Sequence, residues 1–239
     1  MLEPLLLGLL VAPSAAGVSL AIATIAAFFL RQPLKITLVD RRRHLSTART
    51  ARARTLSVAL GLIAAFSFGA SIWLAGPSFL IPLVLALPFA AVFLFYDLSR
   101  PGRTVQAEVT APLALAGVTT AMAVMDGWPL ANALALWAAL GLRAVPAVFY
   151  VRARLRLDRG RAPSLVWPVL AHVLALLAIG ALVYAHLLPV LTLLPFVVLL
   201  ARAVWYLSPW RPRVTVKAIG FTELGLGLFM VLTIAVGFW

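Results

Sequence analysis

The chain has 239 residues, of which 64% are hydrophobic and 11% are charged, and its formal net charge at pH 7 is +13. Soluble domains are only about half apolar, so the composition excludes a water-soluble fold and predicts an integral membrane protein. Basic residues beside membrane-spanning segments face anionic lipid head groups, so we expect no nucleic-acid partner. The lack of cysteine excludes disulfides, thiolate metal sites and cysteine nucleophiles.

Nine apolar segments predict membrane spans, because a span needs about 20 predominantly apolar residues. In chain order they are residues 1–12, 15–30, 55–75, 79–96, 109–125, 129–151, 164–186, 187–206 and 218–238. The first segment supplies only about half a span at about 1.5 Å per residue, so we expect a short or truncated helix there. The pattern predicts an all-α polytopic bundle of about nine transmembrane helices. No connection is long enough for a folded extramembrane domain, so we expect one integral membrane domain over residues 1–239.

Basic residues occur in every second connection between these spans. All but two of the 20 Lys and Arg fall after the second, fourth, sixth and eighth spans, within residues 31–54, 100–103, 152–161 and 211–217. Cytoplasmic connections retain basic residues, so we predict a protein of the bacterial cytoplasmic (inner) membrane with its N-terminus inside and its C-terminus outside. The expected partners are membrane lipids, with anionic head groups at the cytoplasmic face.

Two local patterns concern the second connection and the third span. Residues 44–54 contain no Pro or Gly and predict one short helix, with Arg49 and Arg52 on a face that contacts solvent or head groups. Gly61, Ala65 and Gly69 stand four residues apart, a spacing that lets transmembrane helices approach closely. We therefore predict an ordinary helix contact inside the bundle at these three residues.

Three ionisable residues, Arg143, Arg202 and Glu223, lie inside predicted spans. Such residues are costly in a membrane and usually mark a functional site or a buried pair. The predicted topology places all three at similar depth in the inner half of the membrane. Two interpretations remain open: a structural pair between Arg202 and Glu223, or a ligand-binding role for at least one of the three.

A second group, Asp97, Arg100, Arg103 and Glu108, lies where the fourth span ends and the fifth begins. A Pro-Gly turn between the two arginines favours a hairpin that returns both carboxylates to the inner rim. The four side chains then either neutralise one another or hold a Mg²⁺ ion and a phosphate, since Mg²⁺ prefers carboxylate oxygens and Arg binds phosphate with two parallel hydrogen bonds. The cofactor stays unknown, with Mg²⁺ as the candidate that this pattern raises, and we assign no metal ligand.

Four segments together resemble the YwiC-like family of bacterial membrane proteins: LEPLLLGLL at Leu2–Leu10, FLRQPL at Phe29–Leu34, YDLSRPGRTVQAE at Tyr96–Glu108 and YVRARLRLDRG at Tyr150–Gly160. That family usually begins with a motif close to EHGAW just before the first of these segments. The motif is missing here, which agrees with the expectation of a shortened first helix. The resemblance carries no settled biochemical function.

The nine-span plan with basic inner loops is also similar to the UbiA superfamily of intramembrane prenyltransferases, which join an isoprenyl diphosphate to an aromatic acceptor. Those enzymes hold Mg²⁺ with aspartate-rich motifs after the second and sixth helices. The corresponding loops here contain only Asp40 and Asp158. Single carboxylates among arginines make a poor Mg²⁺ site, so this departure argues against ordinary prenyl transfer.

Two hypotheses for function follow. In the first, a divergent prenyltransferase-like protein binds or processes a polyprenyl, quinone or other lipid-like anionic substrate in a cytoplasm-facing cavity. The substrate-binding residues would then be Arg100, Arg103, Arg143 and Arg202, and the catalytic residues Asp97, Glu108 and Glu223. In the second, the protein is a non-catalytic transporter or an assembly partner of respiratory complexes, and the same residues form gating or structural pairs.

Overall fold

The computed structural model describes residues 2–45, 47–99, 104–212 and 214–239. Within these ranges the chain is α-helical, with one 3-10 turn over Val190–Thr192 and no β-strand. The helices are α1 (Leu2–Val11), α2 (Ala15–Arg42), α3 (Ala48–Ala75), α4 (Leu80–Ser99), α5 (Val105–Met125), α6 (Leu130–Asp158), α7 (Val166–Tyr184), α8 (Leu193–Leu207) and α9 (Val216–Phe238).

Eight of these helices, α2 to α9, are long and apolar enough to cross a membrane, when the 3-10 turn Val190–Thr192 is counted as the start of the α8 span. Helix α1 has 10 residues, which corresponds to about 15 Å, or half the hydrocarbon thickness of a bilayer. The described part of the chain is therefore an all-α, multi-pass membrane bundle of eight long helices and one short helix. This result confirms the predicted fold class.

Three helices are longer than a membrane requires: α2 and α3 have 28 residues each, and α6 has 29. The predicted separate helix over residues 44–54 is wrong, because α2 continues to Arg42 and α3 already begins at Ala48. Thr47 caps α3, since its Oγ1 accepts a 3.2 Å hydrogen bond from the Thr50 backbone N–H. Arginine favours helix, so most of this basic stretch lies on the ends of two long helices rather than in a loop.

From α4 onward, helices that follow one another in the sequence pack side by side, α2 packs against α3, and α1 packs against α5 and α9. Short connections join antiparallel neighbours, so α2, α4, α6 and α8 all end at the same end of the bundle. We call this the basic end, because its connections carry the clustered Lys and Arg. Helix α3 lies at the periphery and makes its main contact with α2.

Small residues allow the central helices to approach closely. A Cβ at Gly117 of α5 would lie 2.7 Å from the Cβ of Ala86 in α4. A Cβ at Gly141 of α6 would lie 2.8 Å from Cδ2 of Leu113 in α5. Contacts of this kind supply much of the packing energy between transmembrane helices, which have no hydrophobic driving force between them in lipid.

The predicted helix contact at Gly61, Ala65 and Gly69 is not made within the described chain. A Cβ at either glycine would meet no atom within 4 Å, and Ala65 is exposed. Helix α3 packs on α2 through another face, where the hydroxyl of Ser71 donates a 3.3 Å hydrogen bond to the carbonyl of Ala16. The spacing places the three small residues on one face of α3, but it does not determine whether another helix packs on that face.

Candidate functional site

Four charged side chains from four helices meet inside the bundle. Arg202 of α8 forms an ion pair with Glu223 of α9 through Nη1 and Oε1. Nη2 of Arg143, on α6, lies 3.2 Å from Oε1 of Glu3 on α1 and 3.9 Å from Oε2 of Glu223. The same Nη2 donates a 2.7 Å hydrogen bond to the backbone carbonyl of Glu223. We call Glu3, Arg143, Arg202 and Glu223 the buried network. Its two carboxylates and two guanidinium groups cancel in formal charge.

The buried network lies nearer to the basic end of the bundle. Glu223 is about two turns from the first residue of α9, and Arg202 is about one and a half turns from the last residue of α8, so they lie about 8–10 Å from that end. The side chain of Arg202 is 6% exposed and that of Arg143 is 10% exposed. The structure thus brings together the three ionisable residues that the sequence placed inside spans, and adds Glu3.

Helix α9 makes room for this network at Gly227. A Cβ there would overlap the carboxylate of Glu3 and lie 2.9 Å from Nη2 of Arg143. Gly227 follows Glu223 by one helical turn and lies on the same face of α9. Only a residue without a side chain lets the Glu3–Arg143 pair lie against the α9 backbone.

Aromatic side chains complete the surroundings of Arg202. Its Cζ lies 3.9 Å from the ring centroid of Tyr150, a cation–π contact. The Tyr150 ring also meets the ring of His172 edge to face, with centroids 6.4 Å apart. His172 is buried and its Nδ1 lies 2.7 Å from the carbonyl oxygen of Pro168. His172 is therefore a hydrogen-bonded side chain of the helix core.

The two carboxylates predicted to meet at the inner rim, Asp97 and Glu108, form ion pairs with different helices. Oδ1 of Asp97 lies 3.5 Å from Nη1 of Arg31 on α2, and Nζ of Lys35 donates a 3.1 Å hydrogen bond to the Asp97 backbone carbonyl. Oε2 of Glu108 accepts a 2.7 Å hydrogen bond from Nε of Arg152 on α6. Asp97 and Glu108 thus stabilise contacts across the bundle, between α4 and α2 and between α5 and α6.

The other two members of that predicted group, Arg100 and Arg103, lie outside the described residues. Their grouping with Asp97 and Glu108 therefore stays a prediction. Among the residues that the structure describes, no three His, Cys, Asp or Glu side chains come close enough to hold a metal ion. The loop aspartates have protein partners: the Thr50 hydroxyl donates to Asp40 at 2.6 Å, and Arg154 pairs with Asp158 at 3.0 Å.

Arg154 is a fully buried charge that sequence reasoning missed. Its Nη1 donates a 2.6 Å hydrogen bond to the carbonyl of Tyr206, its Nη2 donates to the carbonyl of Pro212, and its Nε donates to Asp158 at 3.0 Å. The Tyr206 carbonyl belongs to the last turn of α8, where backbone acceptors lack helical partners. The four-residue spacing from Arg154 to Asp158 was the available signal in the sequence.

Glu3 and Tyr150 were also missed as members of the site. Glu3 is the only charged residue in the first predicted span, which was a usable signal once that segment was accepted as a helix. Tyr150 gave no such signal, because a tyrosine near a predicted span end is ordinary in membrane proteins. Its role follows only from its contact with Arg202.

A large apolar groove, separate from the buried network, runs between α4, α5, α6 and α7. Its volume is about 830 Å³. Every side chain along it is apolar or a tryptophan, and the residues are Leu85, Phe89, Leu113, Leu134, Trp137, Ala138, Gly141, Leu142, Val145, Pro146, Ala171, Leu174, Ala175 and Ala178. Trp137 is held in place, because its Nε1 donates a 2.9 Å hydrogen bond to the carbonyl of Leu113. We call this region the lateral groove.

Toward the basic end, the same faces of α6 and α7 line a smaller cleft of about 210 Å³. On α6, Phe149 follows Val145 of the groove by four residues, and Arg152 and Arg156 continue the same face. On α7 the cleft is lined by Trp167 and Pro168, one turn before the groove residues. We call this region the basic cleft. The groove and the cleft thus follow one another along the same faces of α6 and α7, and the cleft carries two arginines.

Comparison with known proteins identifies a family for the first half of the chain. A family model described as YwiC-like protein matches residues 1–123, which include three of the four segments quoted above. No curated protein and no solved structure matches the chain. The matched region covers α1 to α4 and most of α5, including Glu3, Asp97 and Glu108. Because the match extends over slightly more than half of the 239 residues, this multi-pass membrane protein belongs to the YwiC-like family.

Proposed function

We propose that the protein binds a lipid-like molecule with an anionic head group, its apolar chain in the lateral groove and its head group at Arg152 and Arg156. The observation that carries the proposal is that the apolar groove and the arginine-bearing cleft follow one another along the same faces of α6 and α7. An isoprenoid or quinone-type chain is the class of ligand that fits, because the groove offers length and apolar side chains but no polar group at its centre.

The head group has to supply most of the affinity in this arrangement. An apolar chain gains little by leaving lipid for a protein groove, since both surroundings are equally apolar. Hydrogen bonds to charged groups contribute about 1.5–3 kcal/mol each, and Arg binds phosphate or carboxylate with two parallel donors. Arg152 and Arg156 stand four residues apart on one face of α6, so both guanidinium groups can reach one anion.

Of the three predicted catalytic residues, Glu108 is the one placed to act as a general base on the bound ligand. Its carboxylate contacts Arg152 at 2.7 Å and so stands beside the proposed head-group site. Asp97 is engaged with Arg31, and Glu223 belongs to the buried network. A general base must lie within hydrogen-bonding reach of the proton that it removes, which favours Glu108 at this location.

A UbiA-like prenyl transfer is a more specific form of this proposal, and the site offers little support for it. Prenyl transfer of that type needs several carboxylates around Mg²⁺, and the described residues bring no three acidic or histidine side chains together. We therefore propose binding and handling of an amphiphile, with prenyl transfer as the more specific alternative.

The test is native mass spectrometry of lipids that copurify with the protein in mild detergent. The double variant Arg152→Gln/Arg156→Gln should lose most of an anionic amphiphile that wild type retains, and Ala138→Phe should lose it by filling the groove. The matched control is Arg49→Gln/Arg52→Gln, which removes the same charge from the basic end of α3. Equal retention by all four proteins would contradict the proposal.

The buried network favours a second candidate function, transport across the membrane. Ionisable groups inside membrane helices commonly mark ion or proton pathways. A transporter predicts that Arg143→Gln abolishes solute flux in proteoliposomes while the copurified lipids stay unchanged. If the protein instead binds amphiphiles, the Arg152 and Arg156 variants should lose the copurified lipid, and Arg143→Gln should have no solute flux to abolish.

A further inference from the structure

A cavity opens at the basic end of the bundle, between the end of α6 and the connection from α8 to α9. Its volume is about 750 Å³. Small-molecule sites occupy about 300–1,000 Å³, so this cavity has the size of a ligand site. Its lining residues are Leu157, Asp158, Gly160, Pro209, Arg211 and Val214, and we call it the end pocket. None of them lines the lateral groove or the basic cleft, so a ligand here does not depend on what the groove holds.

One fully buried side chain, Arg154, holds both walls of the end pocket in place. Its Nε donates a 3.0 Å hydrogen bond to Oδ2 of Asp158, which lies on the α6 wall. Its Nη2 donates to the carbonyl of Pro212, which precedes the helix α9 and follows Arg211 on the other wall. A pocket whose walls are already fixed loses little conformational entropy when a ligand binds. The end pocket is therefore preorganised for a ligand.

The end pocket presents one guanidinium group and one carboxylate that do not pair with each other. Among the described residues, Arg211 makes one hydrogen bond, from Nη1 to the carbonyl of Ser208 at 3.4 Å, and its other N–H groups have no acceptor. Asp158 uses Oδ2 for Arg154, and its side chain is 24% exposed. Oδ1 of Asp158 is thus free to accept a hydrogen bond from a ligand.

Positive charge dominates around the end pocket. Asp158 is neutralised by its ion pair with Arg154, so it acts here as a hydrogen-bond acceptor rather than as a net negative charge. Arg211 has no acidic partner among the described residues, and the exposed Arg161 follows Gly160 directly. The pocket therefore favours an anionic ligand over a cationic one.

The two polar side chains of the pocket set the chemistry of that anion. Arginine binds a phosphate group with two parallel N–H donors. An ionised carboxylate only accepts hydrogen bonds, so the ligand group at Oδ1 of Asp158 has to be a donor. A hydroxyl group is the uncharged donor that small phosphate esters commonly carry.

We propose that the end pocket binds a phosphate ester that carries hydroxyl groups, with its phosphate at Arg211 and a hydroxyl at Asp158. Glycerol phosphate has this chemistry, either as a free molecule or as the head group of phosphatidylglycerol. The neighbouring Trp210 is exposed, as is typical of tryptophan at the membrane–water interface. The end pocket thus lies where both forms of the ligand can reach it.

The experiment is native mass spectrometry of the protein with phosphatidylglycerol and with phosphatidylethanol, which has the same charge but no hydroxyl on its head group. Wild type should retain phosphatidylglycerol about ten times more strongly, because one hydrogen bond to a charged group contributes about that factor or more. Asp158→Asn should remove this preference and leave phosphatidylethanol retention unchanged, since the amide oxygen can stay with Arg154 while its NH₂ group faces the pocket. Arg211→Gln should weaken the retention of both lipids.

A further variant and a control keep the result independent of changes in folding. Val214→Phe fills the end pocket with its charges intact and should reduce phosphatidylglycerol retention to the level of phosphatidylethanol. Arg42→Gln is the matched control, because it removes one exposed charge from the end of α2, which packs chiefly against α3. It should leave the lipid preference at the wild-type value.

Titration of free glycerol phosphate into nanodiscs of phosphatidylcholine alone distinguishes the two sources of the ligand. A rise in melting temperature that Arg211→Gln abolishes assigns the end pocket to the free ester. Preference for phosphatidylglycerol without such a rise assigns it to the lipid. Equal retention of both lipids by wild type, together with no effect of glycerol phosphate, overturns the proposal. A lipid preference that survives both Arg211→Gln and Val214→Phe overturns it as well.

Discussion

Replacement of Glu223 by Gln should destabilise the protein more than any other single loss of charge in the buried network. Glu223 is the carboxylate that both arginines approach, Arg202 through a direct ion pair and Arg143 at 3.9 Å. Removing one partner of a buried ion pair costs about 3–5 kcal/mol, because the remaining charge stays buried without compensation. For a chain of this size, each kcal/mol shifts the melting temperature by about 2–4 °C, so we expect a decrease of about 6–20 °C.

The assay is thermal unfolding in lipid nanodiscs, followed by the loss of helical circular dichroism. Arg202→Met should show a smaller loss, since Glu223 then still has Arg143 nearby. The double variant Arg202→Met/Glu223→Met should recover most of the stability, because a buried ion pair replaced by apolar residues is often neutral. The coupling energy from this double-mutant cycle should reach about 2 kcal/mol or more.

Glu108→Gln is the control, since the Glu108 side chain is 29% exposed and its pair with Arg152 should contribute about 1 kcal/mol or less. Single substitutions at Glu223 and Arg202 that each cost under about 1 kcal/mol, and that add in the double variant, would refute the reasoning. The four side chains would then be neighbours in the membrane without energetic coupling.

Two further substitutions test how the bundle holds these charges. Gly227→Ala should cost about 1–3 kcal/mol of stability despite the higher helix propensity of Ala, because its Cβ overlaps the Glu3 carboxylate. Gly225→Ala is the control and should be neutral or stabilising in the same unfolding assay, because a Cβ there meets nothing within 4 Å. Arg154→Met should cost about 3–5 kcal/mol of stability, because it leaves the Tyr206 and Pro212 carbonyls and Asp158 without a donor. If its effect is no larger than that of Arg159→Met, at an exposed arginine, then Arg154 is dispensable.

The helical plan could be predicted from the sequence because hydropathy and charge are strong signals in a membrane. Spans must be apolar over their whole length, so segments such as 109–125 and 218–238 agree with α5 and α9 within a few residues. The helices extend beyond the predicted spans at the basic end of the bundle, where α2 and α6 continue into charged sequence. Outside the membrane, helix is decided by propensity and capping, and hydropathy carries no information about it.

The candidate site was predictable only in part, for a related reason. Arg143, Arg202 and Glu223 stand out because a charge in an apolar span is rare. The partners of Asp97 and Glu108 were not predictable, because they depend on which helices lie side by side. The sequence suggested a common hairpin, whereas the bundle pairs Asp97 with Arg31 and Glu108 with Arg152.

The three hydrogen bonds of Arg154 have a consequence for how the bundle can move. They fasten α6 to the last turn of α8 and to the segment that leads into α9, all at the basic end. A rearrangement that keeps these bonds can separate α8 and α9 from α6 only at the far end, with Arg154 as the pivot. While these bonds hold, the basic ends of α6, α8 and α9 stay together. The buried network is then opened by a separation of these helices at the far end, and not at the basic end to which it lies nearer.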